Sequence, residues 1–210
     1  IEETLKPEQS YNINLNYLKK LYTKKGMIFT FDASAWYTYF TNAILPDYDS
    51  NPNQIIYDNL DGHSVSKGIS VNVNATFAAG FKANIGATIQ DVTQTENNIS
   101  TRQILTERFT GTWGISYKHY PTHLTIDYTG NVYGPMRLPT LGSLDPRQDY
   151  SPTWSIQNIQ LTYDKFKNLD IYGGVKNVLD WTPNKGNPFI IARTNDPFDE
   201  NVQFDNNGNV

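Results

Sequence analysis

Apolar and polar residues alternate with a period of two along most of the chain, the signature of extended strands whose two faces meet different surroundings. Tyr11, Ile13, Leu15 and Tyr17 alternate with Asn12, Asn14 and Asn16. Met27 through Tyr39 repeats the pattern on odd positions, with Ile28, Trp36 and Phe40 as exceptions. Further runs follow at Val65–Phe77, Phe81–Ile89, Phe109–Tyr117 and Leu124–Tyr128. A seventh run near Trp154–Tyr163 changes phase: Trp154 and Ile156 share one parity, Ile159, Leu161 and Tyr163 the other. A β-bulge between them is the expected remedy. The eighth run is Leu169–Leu179.

Several of these runs last about ten residues, whereas strands of soluble domains average about 5–6. A tilted strand needs about 9–11 residues to cross a bilayer. The connections also alternate. Short links fall at 24–26, 78–80, 118–122 and 164–168; long polar links fall at 41–63, 91–105 and 134–152. Membrane barrels have short periplasmic turns and long extracellular loops. The first strand is therefore expected to run toward the periplasm and the eighth to end outside, with 180–210 as an outer loop rich in Pro183, Pro188 and Pro197. One returning strand is expected beyond it.

Composition modifies this picture at a few points. Of 210 residues, 38% are hydrophobic and 18% charged, with net charge -4, which disfavours a general nucleic-acid surface. The mean hydropathy of -0.54 is polar for a helical membrane protein but ordinary for strands with one wet face. There is no cysteine, hence no disulfide or thiol chemistry. The 14 Tyr, 10 Phe and 4 Trp suit either a soluble sandwich core or interfacial girdles. Girdles are favoured because Ala, Ile and Val occupy many strand centres, while Tyr11, Tyr37, Tyr39, Trp113, Tyr117 and Tyr128 are expected near strand ends. The fold class is thus all-β: an antiparallel transmembrane β-barrel fragment. A passive or structural barrel whose outer loops bind a partner, and a soluble adhesive or carbohydrate-binding β-protein, stand as alternatives.

Two segments add a resemblance. Leu5-Lys6-Pro7-Glu8-Gln9-Ser10, leading into an alternating strand, resembles the L-x-P-E-x-S start of a late barrel strand in TonB-dependent receptors. Gly174-Val175-Lys176-Asn177-Val178-Leu179-Asp180 resembles their G-V-x-N-L-F-D segment, with Val178 and Leu179 where the pattern has Leu and Phe. Gly130 to Arg137 is more loosely similar to receptors of Bacteroidota-type bacteria. The resemblance implies an outer-membrane importer of about 22 strands with a plugged lumen, of which this chain supplies about eight C-terminal strands, the last strand and the plug being absent. It implies active uptake of a scarce nutrient, a ferric siderophore or other iron complex, across the outer membrane of a Gram-negative bacterium. The implied partners are outer-membrane lipid, a TonB complex engaged through the absent N-terminal region, the nutrient, and a surface lipoprotein or other outer-membrane protein.

Candidate ligand contacts in outer loops and upper inward faces are Tyr57, Asp58, Tyr133, Arg137, Arg147, Trp181 and Arg193. Arginine pairs bidentately with carboxylates and phosphates, and aromatic faces stack on rings. Enzymatic function is not expected: no nucleophile elbow or phosphate-cradling loop occurs, and His119 and His123 flank Pro121 as turn residues, with Asp127 the one carboxylate worth setting beside His123. No cofactor or metal is expected. The acidic loop clusters at Asp47/Asp49, Asp58/Asp61 and Asp196/Asp199/Glu200 match no EF-hand pattern.

Overall fold

The computed structural model describes residues 5–47, 56–139, 147–183 and 189. Eleven strands form among these described residues: β1 (Gln9–Tyr22), β2 (Ile28–Asn42), β3 (Ile44–Asp47), β4 (Ile56–Asn59), β5 (Gly62–Thr76), β6 (Phe81–Glu96), β7 (Ile99–Arg102), β8 (Phe109–His119), β9 (Leu124–Tyr133), β10 (Trp154–Phe166) and β11 (Leu169–Val175). Eight long strands make one antiparallel meander in the order β1-β2-β5-β6-β8-β9-β10-β11, with β7 paired to β6; β3 and β4 form a separate hairpin. The eight runs expected from alternation are these eight long strands, in the same order, and the sheet is open rather than closed on itself.

The register explains why one side of this ribbon is apolar. Ile13 faces Tyr37, Val73 faces Ile85, Ile85 faces Trp113, and Ile115 faces Tyr128. Tyr128 faces Ile159, which in turn faces Val175. In-register pairing places cross-strand neighbours on the same face, so the apolar parities merge into one continuous surface. Protein does not cover that surface. Ile13 is 73% exposed, Ile85 54% and Ile89 70%, and the buried hydrophobic residues among those described are Ala43, Leu60, Met136 and Leu138. All four lie in connections beyond the outer ends of the long strands. A two-layer sandwich would bury the strand faces instead, and the soluble reading falls on this point. Exposed apolar area of this extent, ordered by pairing, requires a non-aqueous neighbour.

Four expectations need correction. There is no bulge between Ile156 and Ile159: β10 pairs with β9 without interruption from Trp154↔Tyr133 to Tyr163↔Leu124. The phase change means instead that Trp154 and Ile156 face inward, while Gln157 takes the outer face and accepts a 2.6 Å hydrogen bond from the Tyr128 hydroxyl. The irregularity in this region lies between Tyr163 and Phe166 on the β11 side. Second, β11 stops at Val175, so Val178 and Leu179 are not strand residues. Third, the long links are partly structured. The 41–63 link contains β3 and β4, and the 91–105 link is mostly strand, because β6 runs on to Glu96 and returns as β7 through Asn97 and Asn98, at φ 49° and 63°. Two adjacent left-handed residues make a type I′ hairpin, and Asn tolerates that region. Fourth, Trp113 and Tyr128 sit at mid-strand, so of the six aromatics expected near strand ends only Tyr11, Tyr37, Tyr39 and Tyr117 lie toward them.

Trp113 has a different task. Its indole lies over Gly130 across the β8–β9 ladder, so that a Cβ there would fall 2.3 Å from the ring. On the inward face Trp36 covers Gly68 in the same way, at 2.4 Å. A bare glycine backbone loses strand order and side-chain packing, and a cross-strand aromatic restores cover.

Candidate functional site

The inward face changes character along its height. In the outer halves of the long strands it carries amides, hydroxyls and aromatics, with no charged side chain below Glu96 at the tip of β6. These groups bond across strands: Asn12 donates to Thr38 at 2.5 Å, Trp36 Nε1 to Ser66 at 3.3 Å and Thr88 to Ser70 at 3.0 Å. Lys20, Asp32, Lys82, Lys118, Asp127 and Asp164 all lie toward the short-turn end. There the ammonium of Lys118 pairs with the Asp164 carboxylate, and His123 Nδ1 lies 3.7 Å from the same group. This cluster ties two short turns together. His123 therefore sits beside Asp164 and not in an acid–base pair with Asp127, and His119 bonds locally to Thr122 at 2.8 Å.

At the outer end of β9, β10 and β11, aromatics converge. Tyr133 and Trp154 are directly paired across the ladder and stack with centroids 4.1 Å apart and planes 24° from parallel. Trp181 covers the other face of Trp154 at 4.5 Å and 12°, and Phe189 packs 5.7 Å from Trp181 and 6.1 Å from Trp154. Offset stacking of this kind is worth about 0.5–1.5 kcal/mol per pair beyond area burial.

The segment after β11 delivers Trp181 to this place. Asn177 adopts φ 51° and Asp180 φ 49°, a left-handed geometry that Asn and Asp accept more readily than bulkier residues. The Asn177 backbone N–H donates to Asn158 Oδ1 at 3.0 Å, and its side chain closes the turn on the Trp181 N–H and C=O at 3.2 and 2.8 Å. The Val178 N–H donates to the Gln157 carbonyl at 2.8 Å. The Gly-Val-x-Asn-x-x-Asp segment is therefore a turn that leaves the sheet and folds the next loop back over its mouth.

Beside the stack, the connection after β9 has its own small core. Met136 and Leu138 are buried, and Ser151 Oγ accepts from the Met136 N–H at 3.1 Å. Arg147 Nη1 donates to the Phe189 carbonyl at 3.0 Å and Nη2 to the Pro139 carbonyl. Arg137 Nη1 donates to the Arg102 carbonyl at 3.4 Å, linking this connection to β7.

Three of the seven candidate residues, Tyr133, Arg147 and Trp181, thus meet at one outer corner of the ribbon, while Arg137, on the same connection, reaches toward β7. Tyr57 and Asp58 do not join them. They belong to the β3–β4 hairpin above β2 and β5, three strand spacings or about 14 Å from β9, with Tyr57 60% exposed and Asp58 bonded to the adjacent Asn59 N–H at 2.7 Å. Arg193 lies outside the described residues, as do Asp49 and the cluster Asp196, Asp199 and Glu200. Among the described residues, no three His, Asp or Glu side chains gather as a metal-binding group. Sequence reasoning missed Trp154, the centre of the stack, and Phe189. The broken parity at Trp154 was the signal available.

A protein-family model described as TonB dependent receptor-like, beta-barrel, matches residues 2–178. No curated protein sequence matches the chain. Among solved structures, the chain is similar to the ferric-catecholate import receptor Fiu of E. coli in its closed form, with TM-score 0.64, 16% identity, and coverage of 86% of this chain and 24% of that one. It is also similar to the pyoverdine outer membrane receptor FpvA of Pseudomonas aeruginosa bound to pyoverdine, at 0.62 and 16%, covering 85% and 26%. The FrpB iron transporter of Neisseria meningitidis, in its apoprotein form, aligns at 0.60 and 12%, covering 85% and 28%. The chain spans about a quarter of the length of these structures, and at such identities the likeness is one of fold.

Proposed function

Because the chain belongs to the TonB-dependent receptor β-barrel family, we propose that its strands form part of the wall and outer mouth of an outer-membrane importer driven by TonB, and that its cargo is an iron complex of the ferric-siderophore kind. The observation that carries this reading is the pairing of a continuous, uncovered apolar face with an inward face that is polar and uncharged toward the outside. Over its outer half, below Glu96, a wall of this type engages a large polar cargo by hydrogen bonds and ring contacts, without a fixed charge to trap it. Anionic or catechol-bearing cargo gains its electrostatic attraction at the mouth instead, where Arg147 sits beside the aromatic corner and Arg137 on the same connection. The structural neighbours described as ferric-catecholate, pyoverdine and iron receptors support the choice of iron. About eight of about 22 strands are present here; the plug and the segment that contacts TonB belong, on this reading, to the rest of the receptor. Transport then proceeds by binding and plug rearrangement, with no covalent step in these strands.

Uptake of radiolabelled iron supplied as ferric siderophores tests the proposal. Cells carrying the full receptor are expected to accumulate the label only with an intact TonB system and an energised inner membrane. Accumulation that ignores loss of TonB refutes active import and favours a passive barrel. TonB-dependent uptake of another nutrient, with no iron uptake, refutes the cargo alone.

A further inference from the structure

On the apolar face the sheet has a notch. β8 joins the β6 ladder only as far as Phe109 opposite Ile89, and β7 takes over at Arg102 opposite Thr93. Between them, around Asp91, lies a hollow of about 610 Å³. Its floor includes Ile69, Val71 and Ile89, all on the outward parity, and its rim includes Lys67, Arg102 and Arg108. Asp91 is the single acidic residue lining it. Arg102 donates to one oxygen of Asp91, and the Lys67 ammonium stands 3.6 Å from the other. Arg108 is exposed, and its guanidinium has no partner among the described residues. Three cations against one carboxylate leave an excess of two positive charges, in a chain whose net charge is -4.

The height of the notch identifies its neighbour. Asp91 stands ten residues beyond Phe81, the first residue of β6. At about 3.3 Å per residue and a tilt of about 35–45°, that is about 25 Å, the full height of the apolar band of a membrane barrel. The floor therefore faces acyl chains and the cationic rim sits at the outer headgroup level. A free anion would use the rim and leave the floor unfilled, and an uncharged lipid would fill the floor and leave the rim unmatched.

We propose that this notch is a seat for one phosphorylated lipid of the outer leaflet, its phosphate held by Lys67, Arg102 and Arg108 and an acyl chain lying along Ile69 and Ile89. The site faces away from the lumen and is independent of the cargo. Part of its rim, Arg102, is bonded through its carbonyl to Arg137, so lipid occupancy bears on the order of the β7 hairpin and the connection after β9.

The test uses the full receptor, delipidated in detergent and titrated with bisphosphorylated lipid A, with retained lipid counted by native mass spectrometry. The wild type is expected to retain lipid A and to lose it in K67Q/R102Q/R108Q. R108Q alone, which breaks no internal bond, is expected to weaken retention about fivefold, since one cation near a charged lipid surface is worth about 1 kcal/mol. Equal retention by wild type and R108Q overturns the proposal. So does equal retention of dephosphorylated lipid A, which would show an ordinary annular lipid, or full displacement by inorganic phosphate, which would show an anion site without lipid.

Discussion

Placing an arginine at Ile85 probes the outward face where it should be least tolerant. Ile85 lies on the apolar side of β6 between Val73 and Trp113 and is 54% exposed. It is four residues into the strand, which at about 3.3 Å per residue and a tilt near 40° is about 10 Å up a band about 25 Å tall. An arginine near the bilayer midplane on this face costs about 2–4 kcal/mol, or about 30- to 1000-fold in the folding equilibrium. Thr112 provides the matched control. It is on β8 opposite Gly86, faces inward, and lines a polar hollow of about 140 Å³ with Ser70, Asn72 and Thr88. Arginine there is hydrated, so Thr112→Arg is expected to change stability by less than about 1 kcal/mol. The assay is urea unfolding of the full receptor in lipid vesicles, followed by the folded band on unboiled gels. Equal losses for the two variants, or a greater loss for Thr112→Arg, would refute the assignment of odd positions on these strands to lipid.

Trp154→Ala removes the middle ring of a double stack, worth about 1–3 kcal/mol from its two partners, and is expected to speed limited proteolysis in the connections after β9 and β11 while the sheet stays folded. Gly68→Val forces the Trp36 indole off the inward wall, since a Cβ would lie 2.4 Å from the ring; overpacking of this kind costs about 1–3 kcal/mol, read as a lower urea midpoint with altered tryptophan emission. Asn98→Val places a β-branched residue at φ 63°, a cost of about 1–2 kcal/mol, and should accelerate amide exchange in β7 without affecting β8. Arg147→Ala is expected to raise the apparent dissociation constant for a ferric siderophore, measured by tryptophan quenching. An unchanged constant would remove this arginine from the cargo-binding mouth.

The strands, their order and their outward face were legible in the residues alone. Alternation has a period of two on a backbone with a period of two, so residues such as Ile13, Phe31, Ile85 and Ile126 declare their side as soon as the element is known. Short links at Gly26 and Gly80 then leave antiparallel neighbours as the natural pairing. What covered that face was open from local pattern alone, because a second sheet and a lipid tail attract leucine and valine equally well. The assembled sheet settles it: it is a single layer, and the buried hydrophobic residues among those described all lie in the connections. The same limit hid the outer corner. Trp154 read as a misplaced strand residue because its partners, Trp181 and Phe189, are brought over it by a left-handed turn at Asn177, and a contact between residues distant in sequence leaves no periodic trace. The notch beside Asp91 was equally illegible, since it arises where β8 ends and β7 begins on a shared neighbour, a consequence of register and strand length together rather than of any single stretch of chain.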